Sequence, residues 1–218
     1  SQFGFGATID FDDVSHKGIT NISTDDVAVA QELGYVIKLV GDVREVESGI
    51  SAEVSPTFLP KNHPLASVND VMNAVFVESI GIGESMYYGP GAGQKPTATS
   101  VLADIIRIAR RLADGNVGKP FNEFRRDLPL ANPADVKSNY YFALDTPDEK
   151  GKILHLSEIF NSEDISFEQV LQQKANGTTA RIVVITHAMS KTQLKAVTEK
   201  LEAAEDFTVV NTLKVLSN

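Results

Sequence analysis

The sequence contains no cysteine, so it offers neither disulfide bonds nor a thiolate nucleophile. Basic residues are scarce too: 20 Lys and Arg stand against 29 Asp and Glu, for a formal net charge of −9. Nucleic-acid binders usually carry a basic patch and an acidic surface repels anionic lipid, so neither partner is expected. No apolar run reaches the ~18 residues of a membrane span, and no signal peptide is evident. These absences favour a globular protein of the reducing cytoplasm.

The beginning of the chain suggests that it starts within a domain. Its 218 residues suffice for one large domain or two small ones. The opening stretch "SQFGFGATIDFDD" has no initiator Met and looks like the tail of a helix that Gly4 and Gly6 end. We therefore expect a piece of a longer protein.

Hydrophobic periodicity predicts an α+β unit in the first half of the chain. A helix is expected over 23–34, with Ser23 or Thr24 as its N-cap. Alternating apolar residues then predict an antiparallel hairpin of strands 35–46 and 49–60, with a bulge at Gly41.

The next stretch predicts a short helix, two strands and a long helix. Ser67 and Asp70 have the spacing of a capping box, which places a short helix there, and "AVFVES" follows as a strand. After the turn "GIGES" and the strand "MYYG", a helix is expected from about Pro96 to Ala113. Because its residues are broadly apolar, we expect most of this helix to lie in the core.

The second half has a regular order of elements. Strands are predicted over 139–146, 165–173, 180–187 and 207–216, with one helix after the first strand and another after Ser190. Asn176-Gly177 indicates a hairpin turn. The resulting order β-α-β-β-α-β is that of the ferredoxin-like split βαβ arrangement. We expect domains over 1–120 and 138–218, joined by a proline-containing linker over 121–137.

The stretch "GPGAGQKPTATS" is the one phosphate-loop candidate. It fails both the G-x-G-x-x-G dinucleotide template and the P-loop template, because the required later residues are absent. Gly91 and Gly93 would still allow close backbone approach to a ligand, and the helix that follows would offer a positive N-terminus. A tight strand-to-helix turn without a ligand explains the same residues equally simply.

Other candidates for catalysis or metal binding are weak. The four histidines (His16, His63, His155 and His187) share no metal-ligand spacing. No Ser/His/Asp set can be assembled, and the residues alone therefore predict two α/β modules without an active site or a metal site.

Several longer stretches together resemble the homoserine dehydrogenase family of the long bacterial type. They are "ELGYVIKLVG", "PTFLPKNHPLASVNDVMNAVFVE", "GESMYYGPGAGQKPTATSVLADI" and the C-terminal module. The resemblance implies part of the catalytic and dimerisation domain followed by a regulatory ACT domain. It also implies that the Rossmann domain, the catalytic Lys and the substrate-binding carboxylates lie upstream of Ser1, so that no catalytic residue is in this chain.

The resemblance assigns roles to two loops. Members of the family interconvert aspartate semialdehyde and homoserine with NAD(P)H, for threonine and methionine biosynthesis. Their glycine loop faces the nicotinamide end of the cofactor, which implies cofactor contacts from Gly93, Gly91 and Thr97. NAD(P) would belong to the full-length enzyme, and none is expected tightly bound to this chain alone.

The ACT domain implies an amino-acid effector, with threonine as the expected ligand. Its loop after the first strand would contribute Asp145, Asp148 and Gly151, although Lys150 stands where many relatives have Pro. A homo-oligomer, either dimer or tetramer, is implied as well. The rival hypothesis is a non-enzymatic amino-acid-sensing and oligomerisation module.

Overall fold

A computed structural model describes residues 1–116, 126–174 and 179–217. The chain divides into two compact units: Ser1–Lys61 with Asp127–Asn218 forms unit 1, and Asn62–Arg126 forms unit 2. The predicted linker over 121–137 lies partly outside the described residues, and the predicted domain boundaries stay a prediction. So does the Asn176-Gly177 turn, which also lies outside them.

Two short helices open unit 1. Helix α1 spans Gln2–Phe5 and ends at Gly6, whose φ of 67° is left-handed, as expected; Gly4, also expected to end the helix, lies within it. Strand β1 (Ser15–His16) and helix α2 (Thr24–Glu32) follow. Ser23 caps α2 through a reciprocal capping box with Asp26, which confirms the predicted helix start.

A long hairpin comes next. Strands β2 (Tyr35–Val46) and β3 (Gly49–Pro60) pair antiparallel along their full length, as predicted. The bulge predicted at Gly41 is wrong, because Gly41 pairs in register with Val54 and no residue is left over in either strand.

The rest of unit 1 is the C-terminal module. Its elements are β6 (Lys137–Pro147), α4 (Lys152–Asn161), β7 (Phe167–Lys174), β8 (Thr179–Thr186), β9 (Met189–Ser190), α5 (Lys191–Ala203) and β10 (Thr208–Val215). The four long strands lie side by side in the order β10-β6-β8-β7, and each neighbouring pair is antiparallel. The predicted order of strands and helices is therefore present.

Strand alternation gives β6 two different faces. Tyr140, Phe142 and Leu144 point to the side covered by α4 and α5, where they meet buried residues such as Phe160. On the opposite side, Tyr141 and Ala143 join a second cluster of buried residues that includes Val29 and Ala30 of α2 and Phe58 of β3. The sheet is thus covered on both faces.

The hairpin and the module share one sheet. Strand β10 pairs in parallel with β3, at Lys214 opposite Thr57 and Val215 opposite Phe58, and β1 pairs in parallel with β3 as well. Because parallel and antiparallel pairs coexist, the sheet is mixed, which confirms the predicted α+β class.

The described residues of unit 2 form one short turn of helix, a hairpin and one long helix. A 3₁₀ helix spans Pro64–Ser67, strands β4 (Met72–Ser79) and β5 (Gly83–Pro90) pair antiparallel, and α3 spans Gln94–Ala113. The helix predicted to begin at Ser67 is wrong. The 3₁₀ turn ends at Ser67 instead, because it begins earlier, at Pro64. The His63 ring caps this start by accepting a hydrogen bond from the Leu65 N–H at 3.2 Å.

The prediction that the long helix lies mostly in the core is also wrong. Helix α3 has no buried residue, and its large apolar side chains, such as Ile105 and Leu112, are more than half exposed. Within the described residues, no helix is long and apolar enough to cross a membrane.

The carboxylate of Asp26 fastens α2 to the sheet. It is 1% exposed and accepts hydrogen bonds from the Ser23 N–H and hydroxyl, the Tyr141 hydroxyl and the Asn211 amide, all at 2.9–3.0 Å. Burial alone would raise the pKa of Asp26, but these hydrogen bonds outweigh it and hold the pKa below the ordinary value. The contact joins α2, β6 and β10.

We predict that Asp26→Asn lowers the free energy of unfolding at pH 7 by about 1–3 kcal/mol, since the amide accepts fewer of these hydrogen bonds. The carboxylate stabilises the fold fully above its unfolded pKa of about 3.9, and this stabilisation is lost as pH falls through the lower folded pKa. In urea unfolding, the free energies of unfolding of the variant and the wild type should therefore become equal as the pH is lowered into the acid range. The exposed neighbour Asp25 is the control, and Asp25→Asn should cost less than about 1 kcal/mol. A difference from wild type that stays constant down to pH 2 would contradict the role of the charge.

Candidate functional sites

The predicted cofactor residues lie together in the turn between β5 and α3. Gly91 donates its N–H to the Val71 carbonyl at 2.9 Å, so this amide is already engaged. A Cβ on Gly91 would come within 1.8 Å of the amide nitrogen of the exposed Asn73 side chain, which would have to move aside. The Gly91 N–H is therefore satisfied within the turn without any ligand.

Gly93 is the N-cap residue of α3. Its backbone, at φ 135° and ψ 151°, lies in a region that is essentially restricted to glycine. The Thr97 N–H donates to the Gly93 carbonyl at 3.0 Å, and Pro96 has no N–H. The first-turn donors left for a ligand are thus the amides of Gln94 and Lys95, at the positive end of a 20-residue helix.

The turn thus brings Gly91, Gly93 and Thr97 together on an exposed surface of unit 2. Contact of these three residues with a nicotinamide cofactor stays a prediction. The backbone amides of this turn are able to bind a polar or anionic group.

The predicted effector residues lie where β6 gives way to α4. Gly151 is the N-cap of α4 in left-handed conformation, with φ 92°. Having no side chain, it leaves the first-turn amides of Lys152, Ile153 and Leu154 without a capping group. The serine-capped helices differ: Ser23 and Ser190 close the N-termini of α2 and α5 with capping boxes.

A cavity of about 340 Å³ opens at this helix end. It is lined by the loop, the first turn of α4 and the adjoining strands: Thr146, Pro147, Asp148, Glu149, Lys150, Gly151, Lys152, Ile153, Leu154, Gln172, Ala180 and Ile182. Asp148 and Gly151 therefore line the same cavity, while their contact with an effector stays a prediction.

Thr146 is the unusual member of the cavity lining. Its side chain is 2% exposed, and its hydroxyl has no hydrogen-bond partner in the structure. A buried hydroxyl without a partner destabilises a fold, so a group that could pair with it would be stabilising here. Strand alternation in the sequence could have placed Thr146 on the inward face of β6, because it lies two residues after Leu144.

Asp145 does not line the cavity. Strand alternation turns its side chain to the opposite face of the sheet, where both carboxylate oxygens accept from the Arg181 guanidinium at 2.8 and 3.1 Å. Arg181 also approaches Asp25 of α2 at 3.3 Å. The resemblance, which grouped Asp145 with the loop, does not take this change of face into account.

A surface ion network flanks the cavity. Lys152 donates to Asp206 at 2.7 Å and lies 3.3 Å from Glu149, and the His155 ring meets the other oxygen of Asp206 at 2.8 Å. The hydrogen bond with Asp206 raises the pKa of Lys152, and Lys152 followed by His155 lowers the pKa of Asp206. The network fixes the Lys152 ammonium at the rim.

The arrangement is suited to a small zwitterion. Amides of the first turn of α4 can receive a carboxylate, the carboxylates of Asp148 and Glu149 can attract an ammonium group, and the Thr146 hydroxyl can pair with a further polar group. Among the described residues, no group of three or more His, Asp or Glu side chains could hold a metal ion.

Comparison with known proteins identifies related sequences and structures. A sequence model of the family described as homoserine dehydrogenase matches residues 1–106. Homoserine dehydrogenase of Lactococcus lactis is 58% identical over 218 residues, which are all of this chain and 51% of that protein. That of Bacillus subtilis is 34% identical over 207 residues, or 94% of this chain and 48% of that protein.

Solved structures give the same result. The crystal structure of a homoserine dehydrogenase from Thiobacillus denitrificans matches 99% of this chain and 50% of that one, with a TM-score of 0.89 and 30% identity. The chain thus spans about half the length of the relatives that it matches.

We predict that Thr146→Val raises the free energy of unfolding of the ligand-free chain by about 1 kcal/mol, since it removes a buried hydroxyl that lacks a partner. Thr186 is the matched control, because its buried hydroxyl accepts from the Tyr140 N–H at 3.1 Å. Thr186→Val should therefore destabilise by about 1–3 kcal/mol. Equal losses of stability in both variants, measured by urea unfolding, would show that the Thr146 hydroxyl is satisfied.

Proposed function

The chain belongs to the homoserine dehydrogenase family, and from this membership we propose that it is the C-terminal half of an NAD(P)-dependent enzyme that interconverts aspartate semialdehyde and homoserine. In this proposal, unit 2 contributes to the cofactor site and the C-terminal module binds a regulatory amino acid. The reaction belongs to the threonine and methionine routes of the cytoplasm.

The role of unit 2 is to complete the site where the cofactor reacts. NAD(P) supplies hydride transfer when it is bound. Gly93 leaves room for a close approach, and the amides of Gln94 and Lys95 hold polar groups at the start of α3. Gly91 holds the turn through the hydrogen bond that its N–H donates to the Val71 carbonyl. The Lys that handles the substrate proton and the carboxylates that bind the substrate belong to the other half of the enzyme.

The role of the C-terminal module is that of an ACT domain with threonine as its ligand. The cavity at the start of α4, whose lining includes Thr146 with its buried and unpartnered hydroxyl, carries this proposal. Threonine offers a carboxylate for the amides of α4, an ammonium group for Asp148 and Glu149, and a hydroxyl that can pair with Thr146. These three groups match the three kinds of polar partner that the cavity presents.

We propose a homo-oligomer as the working state of the enzyme. Within the described residues, β7 pairs only with β8 and therefore stands at the edge of the sheet. An unpaired strand edge is a ready template for pairing with a second copy. Val170 on this strand is 44% exposed, which adds an apolar contact surface beside the edge.

A non-enzymatic amino-acid-sensing and oligomerisation module is the rival function. It is favoured by the fact that the cavity at the start of α4 lies in the C-terminal module. The two functions differ in their dependence on the other half of the enzyme. Oxidation of NADPH by this chain alone with aspartate semialdehyde would contradict the assignment of the catalytic residues to that half.

Calorimetric titration tests the effector proposal. We expect threonine to bind at concentrations of about a millimolar or below, and valine, in which a methyl group replaces the hydroxyl, to bind at least about tenfold more weakly. In Thr146→Val this preference should disappear, because the partner of the ligand hydroxyl is gone. Thr208→Val, on an exposed position of β10, is the control and should retain the preference. A folded wild-type chain that gives no heat with millimolar threonine would leave the module without this ligand.

A further inference from the structure

We propose that Lys150 binds the carboxylate of the effector, so that the cavity at the start of α4 takes free amino acids and discriminates against their amides and esters. This inference rests on the proposed function, since it takes from there that the C-terminal module binds an amino acid in this cavity. It adds the residue whose charge recognises the carboxylate.

The charged side chains of the loop divide into paired and unpaired ones. The Lys152 ammonium lies 2.7 Å from Asp206 and 3.3 Å from Glu149, and its side chain is 15% exposed. Its charge is therefore already balanced by two carboxylates. Among the residues that the structure describes, the Lys150 ammonium has no ion pair or hydrogen bond. Lys150 can thus pair with a ligand without breaking an existing contact.

Lys150 lies next to the open N-terminus of α4. It lines the cavity and directly precedes Gly151, the N-cap residue, which provides no side chain to the amides of the first turn. A carboxylate held by these amides would lie at the positive end of the helix dipole. The ammonium group of the neighbouring lysine can approach the same carboxylate, because its stem is long and flexible. Amides and ammonium together therefore favour a charged carboxylate over a neutral carboxamide.

The rest of the cavity fits the other groups of a small amino acid. Asp148 also lines it, and within the described part of the chain its carboxylate too has no ion pair or hydrogen bond. The loop thus offers one free charge of each sign to the two charged groups of a zwitterion. Thr146 adds a buried, unpartnered hydroxyl to the lining, and Ala180 and Ile182 add buried apolar side chains. A volume of about 340 Å³ is at the lower end of the range for ligand pockets, which suits a small molecule.

Calorimetric titration with threonine and with threoninamide tests the role of Lys150. The two ligands share the ammonium group, the hydroxyl and the methyl group, and differ only at the carboxylate. At about pH 6 both carry the ammonium charge, since an α-amino group titrates at about 7.7–8.0. We expect the wild type to bind threonine at least about tenfold more tightly than threoninamide. Lys150→Met, which removes the charge and keeps most of the length, should weaken threonine about five- to tenfold and leave threoninamide unchanged.

Two further variants serve as controls. Lys150→Arg keeps a cation at the position and should retain most of the preference for threonine. Lys195→Met removes the same charge from α5, where the Lys195 side chain is 79% exposed and lies outside the cavity lining. This second variant should leave the affinities for both ligands unchanged.

The possible outcomes separate this inference from the proposed function. A preference for threonine that survives intact in Lys150→Met would overturn the inference, because the amides of α4 alone would then recognise the carboxylate. Equal losses of affinity for both ligands would overturn it too, since Lys150 would then act on a group that the two ligands share. Both results would leave the effector in place. A folded wild-type chain that gives no heat with threonine would instead overturn the proposed effector, and this inference with it.

Discussion

A buried ammonium group holds the two halves of unit 1 together. Lys214 of β10 forms ion pairs with Asp42 of β2 and Glu53 of β3, and its side chain is only 5% exposed. Arg44 pairs with Asp42 at 2.6 Å and Lys191 pairs with Glu53 at 2.7 Å, so both carboxylates meet two cations. Burial raises the pKa of Asp42, but Arg44 and Lys214 outweigh it and keep the pKa below its ordinary value. Because buried charges that lose a partner are strongly destabilising, this cluster requires the hairpin and the module to stay in one register.

The helix N-termini divide into two kinds. Serine capping boxes close α2 and α5, which serve packing, whereas Gly93 and Gly151 begin α3 and α4 with positive φ and no capping side chain. The two glycine-started helices are those for which ligands were predicted. At α4 the open N-terminus stands beside a cavity and an unpartnered hydroxyl, which makes it the better-supported site. At α3 it stands on an exposed turn, where a second polypeptide would have to complete the site.

Local signals in the sequence predicted local structure well. The capping box at Ser23, the two strands of the β2–β3 hairpin and the order of elements in the C-terminal module all follow from spacing and alternation, and they are present. The pairing of β3 with β10 joins residues that are more than 150 positions apart in the sequence. No local sequence pattern predicts such a pairing. The prediction of a helix that begins at Ser67 is wrong because His63 and Pro64 start a 3₁₀ turn earlier in the chain. The prediction that α3 is buried was wrong because an apolar stripe indicates that a helix packs against another element but does not identify that element.

Amide hydrogen exchange on the chain alone tests whether unit 1 is one body joined through β3 and β10, and whether the helix of unit 2 is as exposed as its lack of buried residues indicates. We predict that the central amides of β3 and β10 exchange at the same slow rate, because both must await the unfolding of the shared sheet. The amides of α3 should exchange far faster. Amides of α3 as protected as those of β10, or a β3 strand that exchanges well before β10, would contradict these expectations.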